Sequence, residues 1–224
     1  MRRPLTAILA CLVLVLAACG DEEEQPAASA TATPEDTGGE QGSGCAPAEP
    51  PAPKDARFGK PRQRLDRAKV YVATVTTNCG AFEVTLDAER APKTGGSFKF
   101  LADKGFYDGL GFHRVVPGFV IQGGDPKGDG SGGPGYSIVE PPPAGLRYVK
   151  GVVAMAKTGI EKAGTSGSQF FVVTGDAGLP PDYALVGEVS AGQEVVDRIG
   201  VIPTDAGEKP VEPVVIESVE VAMR

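Results

Sequence analysis

The amino-acid sequence predicts a mainly β fold, a closed antiparallel barrel or a sandwich, with two helices added to it. Three observations lead there. Short runs that are rich in β-branched residues, or that alternate apolar and polar positions, recur between residues 70 and 221. Gly-, Pro- and Asn-containing turn clusters separate these runs, and only two segments show helical spacing of apolar residues. Many short strands with just two helices fit a sheet closed on itself or two sheets packed face to face.

The first 18 residues are read as a signal peptide. Arg2 and Arg3 precede an apolar run that ends in Leu16-Ala17-Ala18-Cys19. The run is short for a membrane span, which needs about 20 residues, and small residues stand before the cysteine as a signal peptidase requires. Leu-Ala-Ala-Cys also looks like a bacterial lipobox, so Cys19 is the expected first mature residue and lipid carrier. Residues 19–69 are expected to be a disordered linker. Acidic residues, proline and small polar residues fill residues 20–53 without a basic side chain, and nothing there can build a core. A short basic stretch follows, from Lys54 to Lys69, interrupted by Asp55 and Asp66. The expected location is therefore the cell membrane, on its extracytoplasmic face.

Residues 70–224 are one domain's worth of chain. Residues 70–76 are rich in β-branched side chains, and 82–86 alternate as a strand with one buried face does; Asn78-Cys79-Gly80 between them reads as a hairpin turn. In 91–104, Pro92 suits a first helical turn and Phe98, Leu101 and Ala102 fall on one face, although Gly95 and Gly96 weaken a helix. Residues 112–116 and 119–122 form strands around a Pro117-Gly118 turn. Strict alternation would place Phe112, Arg114 and Val116 on one face and His113 on the other. Further strands are expected at 151–155, 170–173, 183–189 and 214–221, and a second helix at 192–199, where Val195, Val196 and Ile199 are helically spaced.

Several chemistries are disfavoured. The net charge of −7 argues against nucleic acid. The glycine-rich run 123–135 lacks the Gly-Lys-Ser/Thr of a phosphate loop, and as a calcium loop it carries Lys127 and Tyr136 at liganding positions. One histidine and at most two mature-domain cysteines leave no metal site to expect, and no cofactor is called for. His113 with Ser166 or Ser168 would be a poor triad, since Gly164-Thr165-Ser166-Gly167-Ser168 is not a nucleophile elbow. Cys11 leaves with the signal and Cys19 is assigned to the lipid, which leaves Cys45 and Cys79 as a possible disulfide.

Three blocks carry a resemblance: FHRVVPGFVIQGGD at 112–125, GVVAMA at 151–156 and GSQFFV at 167–172. In order and spacing they resemble the cyclophilins, peptidyl-prolyl cis–trans isomerases, over 70–224. The resemblance implies an eight-stranded antiparallel barrel closed by two helices. It implies Arg114 and Gln122 as catalytic residues, Phe119, Val120, Phe171 and Leu179 as the proline pocket, and Gln122 and Gln169 as holders of the substrate backbone. Ala156 and Lys157 take the place of the strand that pairs with the peptide. Lys157 departs from the family's usual asparagine, Tyr183 stands where many members have a pocket histidine, and the pocket tryptophan is missing around Gly178 and Leu179. Pro-containing segments of exported proteins are the implied partners of a monomer. A module that binds such segments without isomerising them would use the same groove.

Overall fold

The computed structural model describes residues 44–224. The predicted signal peptide, the Cys19 lipidation site and the first half of the expected linker lie outside these residues. The described chain forms β1 (Tyr71–Thr77), β2 (Gly80–Leu86), α1 (Pro92–Asp103), β3 (Leu110–Val116), β4 (Val120–Gly123), β5 (Ile138–Val139), β6 (Val152–Met155), β7 (Thr165–Ser166), β8 (Phe170–Val173), β9 (Leu185–Ala191), α2 (Gln193–Ile199) and β10 (Val215–Met223). Eight of the strands close into an antiparallel barrel in the order β1-β10-β3-β4-β8-β6-β9-β2, as expected. The short pair β5 and β7 forms a separate two-stranded sheet that the sequence pattern does not reveal. Thr77 pairs with Gly80, so Asn78-Cys79 is a two-residue hairpin loop.

The barrel interior is filled. Phe98 of α1, Tyr107, Phe112 and Phe170 pack inside it, with ring centroids 5.0 Å (Phe98–Tyr107), 5.6 Å (Phe98–Phe170) and 5.9 Å (Phe112–Phe170) apart. A ligand must therefore bind on the outside. Two strands are apolar on both faces, which marks where. In β6 and β8, Val153, Met155, Phe170 and Val172 turn into the main core, while Val152, Ala154, Phe171 and Val173 join a second apolar cluster. Because successive strand side chains alternate, that second cluster lies on the outer wall, where Ala91, Tyr148, Val120 of β4 and Leu185 of β9 join it.

Residues 44–69, expected to belong to the tether, lie along the barrel as a strap. Cys45 is bonded to Cys79. The Ala46 N–H donates to Asn78 O at 2.7 Å, Lys54 N–H to Pro126 O at 2.7 Å, Phe58 N–H to Pro134 O at 2.8 Å and Leu65 N–H to Pro92 O at 2.9 Å. Phe58 meets Phe100 and Phe106 edge to face, and Leu65 is buried. The strap also accounts for the two glycines of α1. A Cβ on Gly95 would stand 2.5 Å from Leu65 Cδ1, and one on Gly96 would stand 2.6 Å from Gln63 O. Low composition-wide hydrophobicity hid this segment, because its few anchors, Cys45, Phe58 and Leu65, are far apart in sequence and act one at a time.

Candidate active site

Arg114 sits on β3, and a bulge sets its direction. Phe112 pairs with Gly123 and Arg114 with Gln122, so His113 is an extra residue opposite a single step of β4. Phe112 and Val115 both point into the core. The expected sharing of one face by Phe112, Arg114 and Val116 is thus corrected: the bulge breaks the alternation and puts His113 and Arg114 together off the barrel interior. Neither His113 nitrogen has a hydrogen-bond partner, and neither does Ser166 Oγ, while Ser168 Oγ donates to Gly124 O. No histidine–serine pair is assembled. Burial lowers the His113 pKa, against the opposing pull of Asp125, and so favours the neutral ring.

The Arg114 guanidinium is held from two sides. Its Nε donates to Glu208 Oε2 at 2.5 Å, and its Cζ stands 5.9 Å from the centre of the Phe119 ring. Phe119 begins an apolar surface cluster. Val120 and Phe171 are its buried members, and Phe119, Leu179 and Tyr183 are half-buried against them. The Phe171 and Tyr183 rings meet edge to face with centroids 5.3 Å apart. Tyr183 is fixed by Tyr148, whose hydroxyl donates to Tyr183 O at 2.6 Å and accepts from Tyr183 N–H at 2.9 Å. Sequence reasoning passed over Tyr148, since no local pattern marks it.

Gln122, which pairs with Phe171 across β4 and β8, and Gln169 stand beside this cluster as a coupled pair. Gln122 Nε2 donates to Gln169 Oε1 at 3.0 Å, and Gln169 Nε2 donates to Gly130 O and Gly132 O, each at 2.9 Å. The glycine-rich loop is therefore a backbone scaffold for an amide. Its shape comes from the buried Asp125, whose carboxylate accepts from the N–H groups of Lys127 and Gly130. Beyond the glutamines lies a cavity of about 590 Å³, bordered by Ala156 and Lys157 and by strap residues Lys54 and Arg57. Ala156 follows β6, and its N–H donates to Gln169 O at 2.9 Å. The Lys157 side chain turns away to Asp182, at 2.7 Å, and over the Tyr183 ring. Among the described residues, no group of three or more His, Cys, Asp or Glu could hold a metal ion.

The expected set Arg114, Phe119, Val120, Gln122, Ala156, Lys157, Gln169, Phe171, Leu179 and Tyr183 thus lies on one region of the outer wall. A filled eight-stranded barrel with an apolar cluster on its outer wall, an arginine against one of the cluster's rings and two coupled amides defines a barrel protein whose candidate site lies on the surface and not in the interior. Residues 71–221 match the family model described as cyclophilin type peptidyl-prolyl cis-trans isomerase/CLD. A peptidyl-prolyl cis-trans isomerase B of Streptomyces anulatus is 42% identical over 178 residues, covering 70% of this chain and 99% of the relative. A probable peptidyl-prolyl cis-trans isomerase A of Mycobacterium leprae is 40% identical over 169 residues, covering 67% and 91%. Among solved structures, a cyclophilin type peptidyl-prolyl cis-trans isomerase of Cryptosporidium parvum superposes with a TM-score of 0.64 at 31% identity, covering 68% of this chain and 98% of that one. A structure of the same parasite protein in the presence of the dipeptide Ala-Pro gives a TM-score of 0.63 at 29% identity, covering 67% and 98%. The chain belongs to the cyclophilin family of peptidyl-prolyl cis–trans isomerases, and its activity is the isomerisation of X–Pro peptide bonds.

Proposed function

We propose that Arg114 is the residue that lowers the barrier, with Gln122 and Gln169 holding the substrate backbone and Phe119, Val120, Phe171, Leu179 and Tyr183 receiving the proline ring. The chemical problem is amide resonance. Rotation about the C–N bond costs about 18–20 kcal/mol, and X–Pro is the bond at which both isomers are populated. As the bond twists, conjugation is lost and the prolyl nitrogen regains a lone pair. A donor placed against that nitrogen stabilises the twisted state more than either planar state.

The single observation that supports this assignment is the placement of Arg114. Its Nε is occupied by Glu208, which leaves the Nη groups, beside the Phe119 ring, for a substrate. Phe119 and its apolar neighbours exclude water that would compete for those donors. Arg114→Ala should lower kcat/KM for an X–Pro peptide by about 10²–10³, the loss typical of an oxyanion-type donor, in a protease-coupled assay. Retention of most of the activity would overturn the assignment.

Ala156 and Lys157, next to the cavity, are assigned to the flanking residues of the peptide. The protein acts as a monomer on exported proteins, tethered to the membrane through lipid at Cys19. The Leu16-Ala17-Ala18-Cys19 sequence supports the tether. Mass spectrometry of the mature N-terminus tests it, and an unmodified secreted form would sink it.

A further inference from the structure

We propose that Glu208, in the loop between α2 and β10, is a positioning residue that holds the Arg114 guanidinium in its working orientation; the inference rests on the reading of Arg114 above. Glu208 lies 94 positions from Arg114 in sequence, outside the three motif blocks and outside the apolar cluster.

Three independent features converge on it. First, Glu208 is the only non-glycine residue with a positive φ among the described residues, at 64°. That left-handed backbone suits glycine and disfavours a residue bearing a Cβ. A glycine is next door, yet Gly207 is not the residue that takes the left-handed position. A glutamate kept there at conformational cost is the pattern of strain retained at a functional site. Second, the turn that presents it is tied at each step. Asp205 Oδ1 accepts from Gly207 N–H at 2.8 Å and Lys209 N–H at 3.0 Å, and Asp205 O accepts from Glu208 N–H at 3.0 Å. Third, the turn is fastened to β3 itself. Val115 N–H donates to Glu208 O at 2.8 Å, so Glu208 grips the strand by its backbone at Val115 and by its side chain at the adjacent Arg114.

The chemistry of the contact follows from which nitrogen is used. A carboxylate on Nε engages one edge of the guanidinium and leaves the Nη donors unoccupied by it. Arginine has many rotamers, and a donor that must meet a prolyl nitrogen in a short-lived twisted state loses effect when it is misplaced by about 1 Å. With Phe119 on the other side, Glu208 removes that freedom without consuming the working donors. As the partners are one-third and nearly one-half exposed, the pair would contribute little to stability by itself.

The test uses Glu208→Ala, Glu208→Gln and Glu208→Gly in the full chain, with kcat and KM for an X–Pro peptide measured separately. Glu208→Ala should lower kcat about tenfold, with KM changed less than about twofold. Glu208→Gln should recover most of the rate, because its amide oxygen still accepts from Nε. Glu208→Gly separates position from fold: relief of the left-handed strain should raise Tm by about 2–4 °C while kcat falls as in the alanine variant. In an Arg114→Ala background, Glu208→Ala should have no further effect. Wild-type or raised kcat in the alanine and glycine variants, or an undiminished effect in the Arg114→Ala background, would overturn the inference. Full activity of Arg114→Ala alone would instead overturn the reading of the arginine, and this inference with it.

Discussion

Opening the Cys45–Cys79 bridge should destabilise the whole domain, and the size of the effect can be worked from the structure. The cysteines are 34 residues apart. In the chain-entropy model, a loop of that length restricts the unfolded ensemble by about 4 kcal/mol at 25 °C. The closed loop contains the strap, whose Phe58 and Leu65 are seated on the barrel, together with β1. Strap and barrel should therefore unfold as one cooperative unit, so that the loss appears in global stability. The cleanest comparison is the oxidised protein against a Cys45→Ala/Cys79→Ala double variant, which leaves no lone thiol at the buried position 79. With a urea m-value of about 2 kcal/mol/M, the midpoint should fall by about 2 M at unchanged m. A fall smaller than about 0.5 M would refute the reasoning. It would mean that the strap detaches in the intact fold before the barrel unfolds, so the bridge constrains a segment that carries no global stability. Hydrogen exchange at the Ala46, Phe58 and Leu65 amides would then show the same fast opening in both proteins.

Two further perturbations address the bulge and the strap. His113 has its pKa lowered, first by burial, with Asp125 and Asp129 pulling the other way and Arg114 reinforcing the fall. Because the folded value lies below the unfolded one, near 6.5, protonation favours unfolding: stability is fully present above about pH 6.5 and is lost as pH falls toward the folded value, by at most about 1.4 kcal/mol per pH unit. Urea midpoints from pH 7.5 to 5 should show this fall, and His113→Gln should flatten it while leaving the isomerase rate within a few-fold; a midpoint that rises on acidification would contradict the burial argument. Gly96→Ala sets two magnitudes against each other, since alanine favours a helix by about 1 kcal/mol over glycine, whereas overpacking costs about 1–3 kcal/mol. Here the new Cβ would meet backbone, 2.6 Å from Gln63 O and 2.7 Å from Arg64 Cα, so the clash should win and Tm should fall; a stabilised variant would show that the strap does not lie on α1.

The sequence alone determined the eight barrel strands and the two helices, because each is written in local order. Alternation at 82–86, helical spacing of Val195, Val196 and Ile199, and the doubly apolar runs at 152–155 and 170–173 are periodicities that a short window contains. The blocks at 112–125, 151–156 and 167–172 carried the expected Arg114, Phe119, Val120, Gln122, Ala156, Gln169 and Phe171, while Lys157, Leu179 and Tyr183 were expected from the resemblance outside them. Cys45 and Cys79 could be matched by elimination, though only the closure of β1 onto β2 brings the hairpin loop to the start of the strap. What the sequence could not show depends on neighbours distant in the chain. A one-residue bulge at His113 changes register against β4, and register belongs to the pair of strands and not to either one. The Gln122–Gln169 contact exists because β4 and β8 are adjacent in the closed barrel. The strap looked like tether because its anchors are too sparse to make a pattern, and their apolar partners, Phe100, Phe106 and the glycine face of α1, lie in other elements. Glu208 reads as one more charge in a polar loop; only the folded chain puts its carboxylate against Arg114, because a side chain's partner is fixed by which backbone segments the barrel brings within a hydrogen bond's reach.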